Sequence, residues 1–389
     1  MPAIKIVSPT GVVLGTLARR MVSCAVAAVQ KARSENRRSQ DGLAMVLYFV
    51  VYVKIVSKEE ETKMKVIFTP QKPSDKQAMN MRLTMWGAAL LLCHHVYAQE
   101  GAIPKPAAGR IVRIEAFKSR YVDARKVDVW LPEGYTPTKQ YAVLYMHDGN
   151  MLFDSATTWN KQEWGIDETV AKLRKERKMP ATIVVGVWNG GPKRHFEYCP
   201  KKPLAALSEA ERRQIVRASK RAVVDSSFFG KIESDQYLKF LVEELKPYMD
   251  SAYSTKKEAS NTFVMGASMG GLISLYALCE YPSVFGGAGC MSTHWPLIDE
   301  VKDNPAPEAF AAYLRKHLPD PKTHRLYFDH GTVGLDALYP APQRAIDAVL
   351  KAKGYGSKNS LSKEFVGDDH TERDWRRRLE IPLVFLMGR

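Results

Sequence analysis

From Gly109 onward the chain alternates short, almost unbroken apolar runs with longer segments whose apolar residues recur every three or four positions. The runs YAVLYMHDG (Tyr141–Gly149), TIVVGVWN (Thr182–Asn189), TFVMGAS (Thr262–Ser268), FGGAGCMST (Phe285–Thr293) and RLYFDHGT (Arg325–Thr332) predict strands buried on both faces. RIVRIEAFKS and ARKVDVWLP alternate instead, which predicts two exposed antiparallel strands at one edge. QEWGIDETVAKLRKE, DQYLKFLVEELKPYM, MGGLISLYALCEY and PQRAIDAVLKAKG carry the helical period, at lengths that suit crossover helices. The fold class expected is α/β, a mostly parallel central sheet with helices on both faces. One polar, basic segment, residues 200–234, interrupts the rhythm and reads either as a lid-like insertion over one end of the sheet or as a solvated spacer.

The first quarter of the chain has a different character. MNMRLTMWGAALLLCHHVYAQEG, from Met79, sets Arg82 before the apolar stretch Leu83–Cys93 and ends in Val96-Tyr97-Ala98, the layout of a secretory signal peptide at residues 79–98. Its apolar stretch is too short to span a bilayer. Residues 1–78 then read as an upstream extension without a domain of its own, with a membrane-associated extension as the alternative. The expected mature domain is residues 99–389, secreted or periplasmic, with no stable membrane span.

The net charge of +15 over 389 residues suggests a nucleic-acid partner until it is divided along the chain. Residues 1–98 hold 14 Lys and Arg against 6 Asp and Glu, more than half the excess. The densest later run, DWRRRLE, reads as a solvated helix face, and no groove-reading motif accompanies it. No two of the five cysteines are spaced CxxC, which argues against structural zinc and against a disulfide scaffold; Cys279 and Cys290 read as buried free thiols.

Gly266-Ala267-Ser268-Met269-Gly270 fits G-x-S-x-G, a weak signal alone and a strong one between a buried strand and a helix. That context predicts a turn that lifts Ser268 out as a nucleophile. A serine needs a base, and the base a carboxylate, arriving in the order Ser, Asp, His. His370 is the candidate base, while His317, His324 and His330 read as surface or structural residues. Asp336, in the loop after RLYFDHGT, is the candidate acid, preferred to Asp329 inside the strand; Asp368 and Asp369 read as supporting groups. Backbone N–H groups of Met269 and Asn150 are the candidate oxyanion donors. Trp188, Arg194, His294 and Trp295 are candidate substrate contacts, with core packing open for the tryptophans and pairing to Glu197 open for Arg194. His147 and Asp148 read as loop-structural. The chemistry requires no cofactor and no metal.

LYMHDGNMLFD, VVGVWNGGPKRHFEYCP, GASMGGLISLYA, YFDHGTVGLDALY and GDDHTERDWRRRL together resemble the putative-esterase family of α/β-hydrolases, over about Ile111–Leu386. That family includes feruloyl and acetylxylan esterases, siderophore esterases, S-formylglutathione hydrolases and mycolyltransferases. The resemblance implies an α/β-hydrolase fold and a serine carboxylic-ester hydrolase with Ser268, His370 and Asp336 as triad, acting on a small-molecule or carbohydrate-linked ester. Feruloyl or acetyl groups on polysaccharide, or siderophore esters, are the leading substrates. The loop GTVGLD is two residues longer than the GTxD form frequent among feruloyl esterases, and residues 200–234 lie outside the minimal family core. Acyl transfer of the mycolyltransferase type, or a non-catalytic binding module on the same fold, are the alternatives.

Overall fold

A computed structural model of the chain describes residues 102–388 and, before them, two strands, Tyr52–Lys58 and Glu61–Ile67, that pair antiparallel. These two strands and residues 102–388 belong to separate units. The segment read as a signal peptide, residues 79–98, lies outside the described residues. Among those described, no helix is long and apolar enough to cross a membrane.

The larger unit is built on an eight-stranded sheet. Its strands are β1 (Arg110–Phe117), β2 (Arg125–Leu131), β3 (Ala142–His147), β4 (Thr182–Val187), β5 (Thr262–Ala267), β6 (Gly287–Met291), β7 (Arg325–His330) and β8 (Ser360–Glu364). They lie in the order β8-β7-β6-β5-β3-β4-β2-β1. The pairs β1–β2 and β2–β4 are antiparallel and all others parallel. This is the expected α/β architecture. The antiparallel edge is also found where alternation placed it, with one correction: β2 is buried along nearly its whole length, because β1 and β4 flank it. Strand β8, SLSKE, is half-exposed and short of apolar residues, so no apolar run announced it.

Because successive side chains in a strand point to opposite faces, each apolar run feeds two cores. Val143, Tyr145, Val264, Ala288, Cys290, Leu326 and Phe328 face one side, packed with Tyr237, Phe240, Leu241 and Leu272. Leu144, Met146, Phe263, Met265, Met291 and Tyr327 face the other. There they meet Ile166, Val170 and Leu173 of α1 (Ile166–Lys175) and residues near the C-terminus such as Leu383 and Leu386. Cys199, Cys279 and Cys290 are buried and free.

Residues 200–234 do not form a solvated spacer. They hold a short helix, Lys201–Ala205, and α2 (Glu209–Ala218), which starts at a capping box in which Ser208 and Glu211 satisfy each other's backbone N–H. Leu204, Leu207, Ile215, Val224, Phe228 and Ile232 from this segment are buried in the first core.

Candidate active site

Strand β5 runs through Ser268 into α3 (Met269–Glu280). Ser268 sits at φ 60° and ψ −122°, a conformation that L-residues avoid and that only surrounding contacts sustain. Two glycines make the turn possible. A Cβ on Gly266 would lie 2.9 Å from the backbone of Gly270, and one on Gly271 would lie 2.8 Å from Thr293 Oγ1. The helix thus crosses the strand ends at a distance that admits no side chain, and Ser268 stands half-exposed above the carboxyl end of the sheet. Its own N–H donates to the Met291 carbonyl of β6 at 2.9 Å, tying the turn to the next strand.

The acid and the base come from the far side of the sheet. The turn after β7 contains Gly334–Leu338, from which Asp336, fully buried, meets His370 Nδ1 at 2.6 Å. The second Asp336 oxygen accepts from the Gly331 N–H at 2.7 Å and from Ser292 Oγ at 2.5 Å. Burial opposes charge on this carboxyl, but the bonds from His370, Ser292 and Gly331 outweigh it and hold the group below its ordinary range. Asp336 is therefore an anion that can fix the imidazole with Nδ1 protonated and Nε2 free to accept. Asp329 is in a different position: it remains in β7, held by Tyr327 at 2.8 Å and Arg378 at 3.0 Å, and burial pushes it up to about 6 despite that arginine.

The loop after β3 supplies the remaining element. Asp148 enters it at φ 55°, and Gly149–Met151 form a single 3-10 turn in which the Met151 N–H returns to the Asp148 carbonyl. The N–H groups of Gly149 and Asn150 precede that first bond, and Met269 opens α3, so Asn150 and Met269 both carry N–H groups at helix starts, where no acceptor exists within the helix. The loop lies against the elbow: a Cβ on Gly270 would stand 3.5 Å from His147 Cβ and 3.6 Å from an Asp148 oxygen. His147 itself is buried and bonded to the Tyr237 hydroxyl at 2.8 Å, and burial above all keeps it neutral, pushed down to about 3.

With a strained serine at a strand-to-helix turn and a buried Asp–His pair in the order Ser, Asp, His, the comparison with known proteins is decisive. The family model described as "Putative esterase" matches residues 119–383. The chain belongs to this family. An uncharacterized protein of Bacillus subtilis strain 168, YbbA, is 24% identical over 173 residues, which is 44% of this chain and 58% of that protein, less than two thirds of its length. An endo-1,4-beta-xylanase/feruloyl esterase of Xylanibacter ruminicola is 28% identical over 152 residues, 39% of this chain and 18% of the larger enzyme. Among solved structures, a ferulic acid esterase from the anaerobic fungus Anaeromyces mucronatus matches 74% of this chain and 93% of its own, at 18% identity and TM-score 0.50, a likeness of fold.

The candidate substrate contacts of this family member separate once placed. His294 is beside the serine: its N–H donates to the Ser268 carbonyl at 3.3 Å, and its buried ring meets the Tyr339 hydroxyl at 2.8 Å through Nδ1. Trp295 is core, with its N–H on Gln343 at 3.0 Å and its ring against Phe310 and Phe328. Trp188 faces the antiparallel edge: its N–H donates to Asp128 of β2 at 2.8 Å, and Arg113 and Lys126 cover its ring. Arg194 does not pair with Glu197, which is taken by Arg125 at 2.7 Å; it grips Asp148 with two bonds of 2.7 and 2.8 Å and so braces the loop after β3. His317 stacks on Tyr313, His324 bonds the Pro282 carbonyl, and His330 bonds that of Gly331, all structural.

DWRRRLE departs from the expectation of a solvated face. Arg376 and Arg377 are half-exposed and paired with acids, but Arg378, turned inward by the helical period of α4 (Glu372–Arg378), is buried. It reaches Asp329, Asp368 at 3.1 Å and Ser292 at 2.8 Å. Trp375 of the same helix donates to Ser292 at 2.9 Å and sets its edge against the His370 ring. Ser292, Tyr339, Trp375 and Arg378 were not singled out by sequence; only the three-residue step from Asp336 to Tyr339 could have pointed to one of them.

Proposed function

We propose that this chain is a serine carboxylic-ester hydrolase that works through an acyl-enzyme on Ser268. The observation that carries the reading is the 2.6 Å contact of His370 with buried Asp336, in one unit with a strained Ser268 at the strand-to-helix turn. In this mechanism His370 Nε2 takes the Ser268 proton as Oγ attacks the ester carbonyl, and returns it to the departing alcohol. The N–H groups of Met269 and Asn150 hold the oxyanion, and Asp336 fixes the imidazole tautomer. Water then repeats the path on the acyl-enzyme.

The substrate class proposed is a feruloyl or acetyl ester on polysaccharide, supported by the ferulic acid esterase fold and by the feruloyl esterase relative; siderophore esters come second. Residues 200–234 serve as a cover over the site. Support comes from their buried apolar side chains and from Arg221, whose charge is felt at both His294 and Tyr339 while Asp299 holds it at 2.7 Å. Export to the periplasm or beyond belongs to the same reading, on the strength of residues 79–98.

The test is a panel of acetyl, feruloyl and catechol-siderophore esters with the wild type and Ser268→Ala. Hydrolysis of at least one class is expected, with loss in the variant. Undiminished turnover by Ser268→Ala would remove the proposed nucleophile.

A further inference from the structure

Ser292 is the first residue beyond β6. It is fully buried at φ 40°, a backbone setting that a non-glycine residue keeps only where its surroundings fix it. Its N–H donates to the Asp329 carbonyl of β7 at 2.8 Å. Its hydroxyl oxygen meets three groups from two distant parts of the chain: Asp336 at 2.5 Å, the Trp375 indole at 2.9 Å and the Arg378 guanidinium at 2.8 Å.

The direction of each bond is forced. Indole and guanidinium groups only donate, so Trp375 and Arg378 take both lone pairs of Oγ. The single hydroxyl hydrogen is left for the Asp336 carboxylate. Asp336 in turn receives three hydrogens, from Ser292 and Gly331 on one oxygen and from His370 Nδ1 on the other. Trp375 also sets its edge to the His370 ring, at 5.0 Å and 82°. Ser292 thus touches the acid directly and the base through one indole. The other charged and titratable groups around this pair are Arg378, 3.8 Å from the Ser292-bonded oxygen of Asp336, and Asp329, which that arginine also holds. On the imidazole side they are Asp369, which accepts the backbone N–H of His370, Tyr339, edge-on to the ring, and His294, which feels its charge.

We propose that Ser292 is a positioning residue, whose hydroxyl fixes the Asp336 carboxylate toward His370 and holds back part of its pull on the imidazole, a role that rests on the serine-hydrolase reading above. A donor on one carboxylate oxygen does two things. It fixes the plane of the group, so that the other oxygen faces Nδ1. It also draws negative charge away from that other oxygen, and Arg378, bonded to the same hydroxyl, strengthens the donation. The charge left facing His370 fixes the tautomer without making the imidazolium so stable that Nε2 is occupied before Ser268 offers its proton.

The experiment is the pH profile of kcat/KM for p-nitrophenyl acetate with wild type, Ser292→Ala and Ser292→Cys, since the acid limb of that profile reports the free enzyme's base. Without the hydroxyl, Asp336 keeps two donors and more of its charge, which favours the protonated imidazole. The limb should therefore move to higher pH by roughly half a unit to one unit, the worth of one hydrogen bond. Cysteine fills the hydroxyl's place with a weak donor, leaves no room for a substituting water, and should shift the limb the same way. It carries the test if Ser292→Ala fails to fold. Repeating the comparison in an Asp329→Asn background keeps that carboxyl, raised to about 6, out of the profile. A shift to higher pH in a folded variant supports the role. A limb that stays in place, or moves to lower pH, in every variant that folds overturns it, even where the plateau rate falls. Turnover retained by Ser268→Ala overturns the underlying reading instead.

Discussion

Replacing Asp336 by Asn tests the acid by turning its own hydrogen bonds against the base. One Asp336 oxygen accepts the Gly331 N–H at 2.7 Å and the Ser292 hydroxyl at 2.5 Å, while the other meets His370 Nδ1 at 2.6 Å. An asparagine must place its carbonyl oxygen toward the Gly331 N–H, because that donor cannot turn round. Its amide hydrogens then face His370 Nδ1, which becomes the acceptor, so the proton moves to Nε2 and the imidazole can no longer take one from Ser268. The expected loss of kcat is roughly ten-thousandfold, the scale of a wrong-tautomer triad. The fold should survive, since the amide is close in shape and retains the Gly331 bond. The assay is steady-state hydrolysis of a p-nitrophenyl ester beside Asp329→Asn, with thermal unfolding of each. An Asp336→Asn enzyme that keeps more than about a tenth of wild-type kcat would refute the tautomer argument, and so would an equal loss in Asp329→Asn.

Arg378→Met leaves Asp329 and Asp368 without their buried partner and should cost about 3–5 kcal/mol in urea unfolding, where replacing a solvated arginine would cost little. Asp329 carries a carboxyl raised to about 6, above its unfolded value, so the folded state binds the extra proton and stability is lost as pH rises from about 4 to 6. The stability of Asp329→Asn relative to wild type should therefore climb over that window, as read by melting at each pH; a flat difference contradicts the assignment. Gly271→Ala places a methyl 2.8 Å from Thr293 Oγ1 and should destabilise by roughly 1–3 kcal/mol, measured by the same unfolding.

The strands of the sheet centre were legible because burial on both faces leaves an unbroken apolar run, and the elbow because glycine, serine and glycine stand between a run and a helical period. Strand β8 was not, since its half-exposed residues SLSKE depend on pairing with β7 rather than on burial. The site divided along the same line. Ser268, Asp336 and His370 follow from chain order, and the structure brings Asp336 and His370 into contact. Ser292, Trp375 and Arg378 meet from positions more than eighty residues apart, a convergence with no local signature. Arg194 shows the opposite limit: its nearby acid, Glu197, looked like its partner, but the tertiary fold gave Glu197 to Arg125 and Arg194 to Asp148.

The strand order divides the site into two mechanical parts. Strands β3 and β5 are neighbours in register, Met146 opposite Met265, so the loop with Asn150 and the turn with Ser268 ride on one continuous lattice of backbone bonds. Asp336 and His370 hang from β7 and from the chain beyond edge strand β8, with β6 between them and the strand that carries Ser268. In the proposed mechanism a shear of the outer strands would move the proton acceptor while the loop with Asn150 and the turn with Ser268 stay in register. Gentle heating would then attack timing before recognition: the ester would still be held, but the relay that should collect its proton would drift out of step.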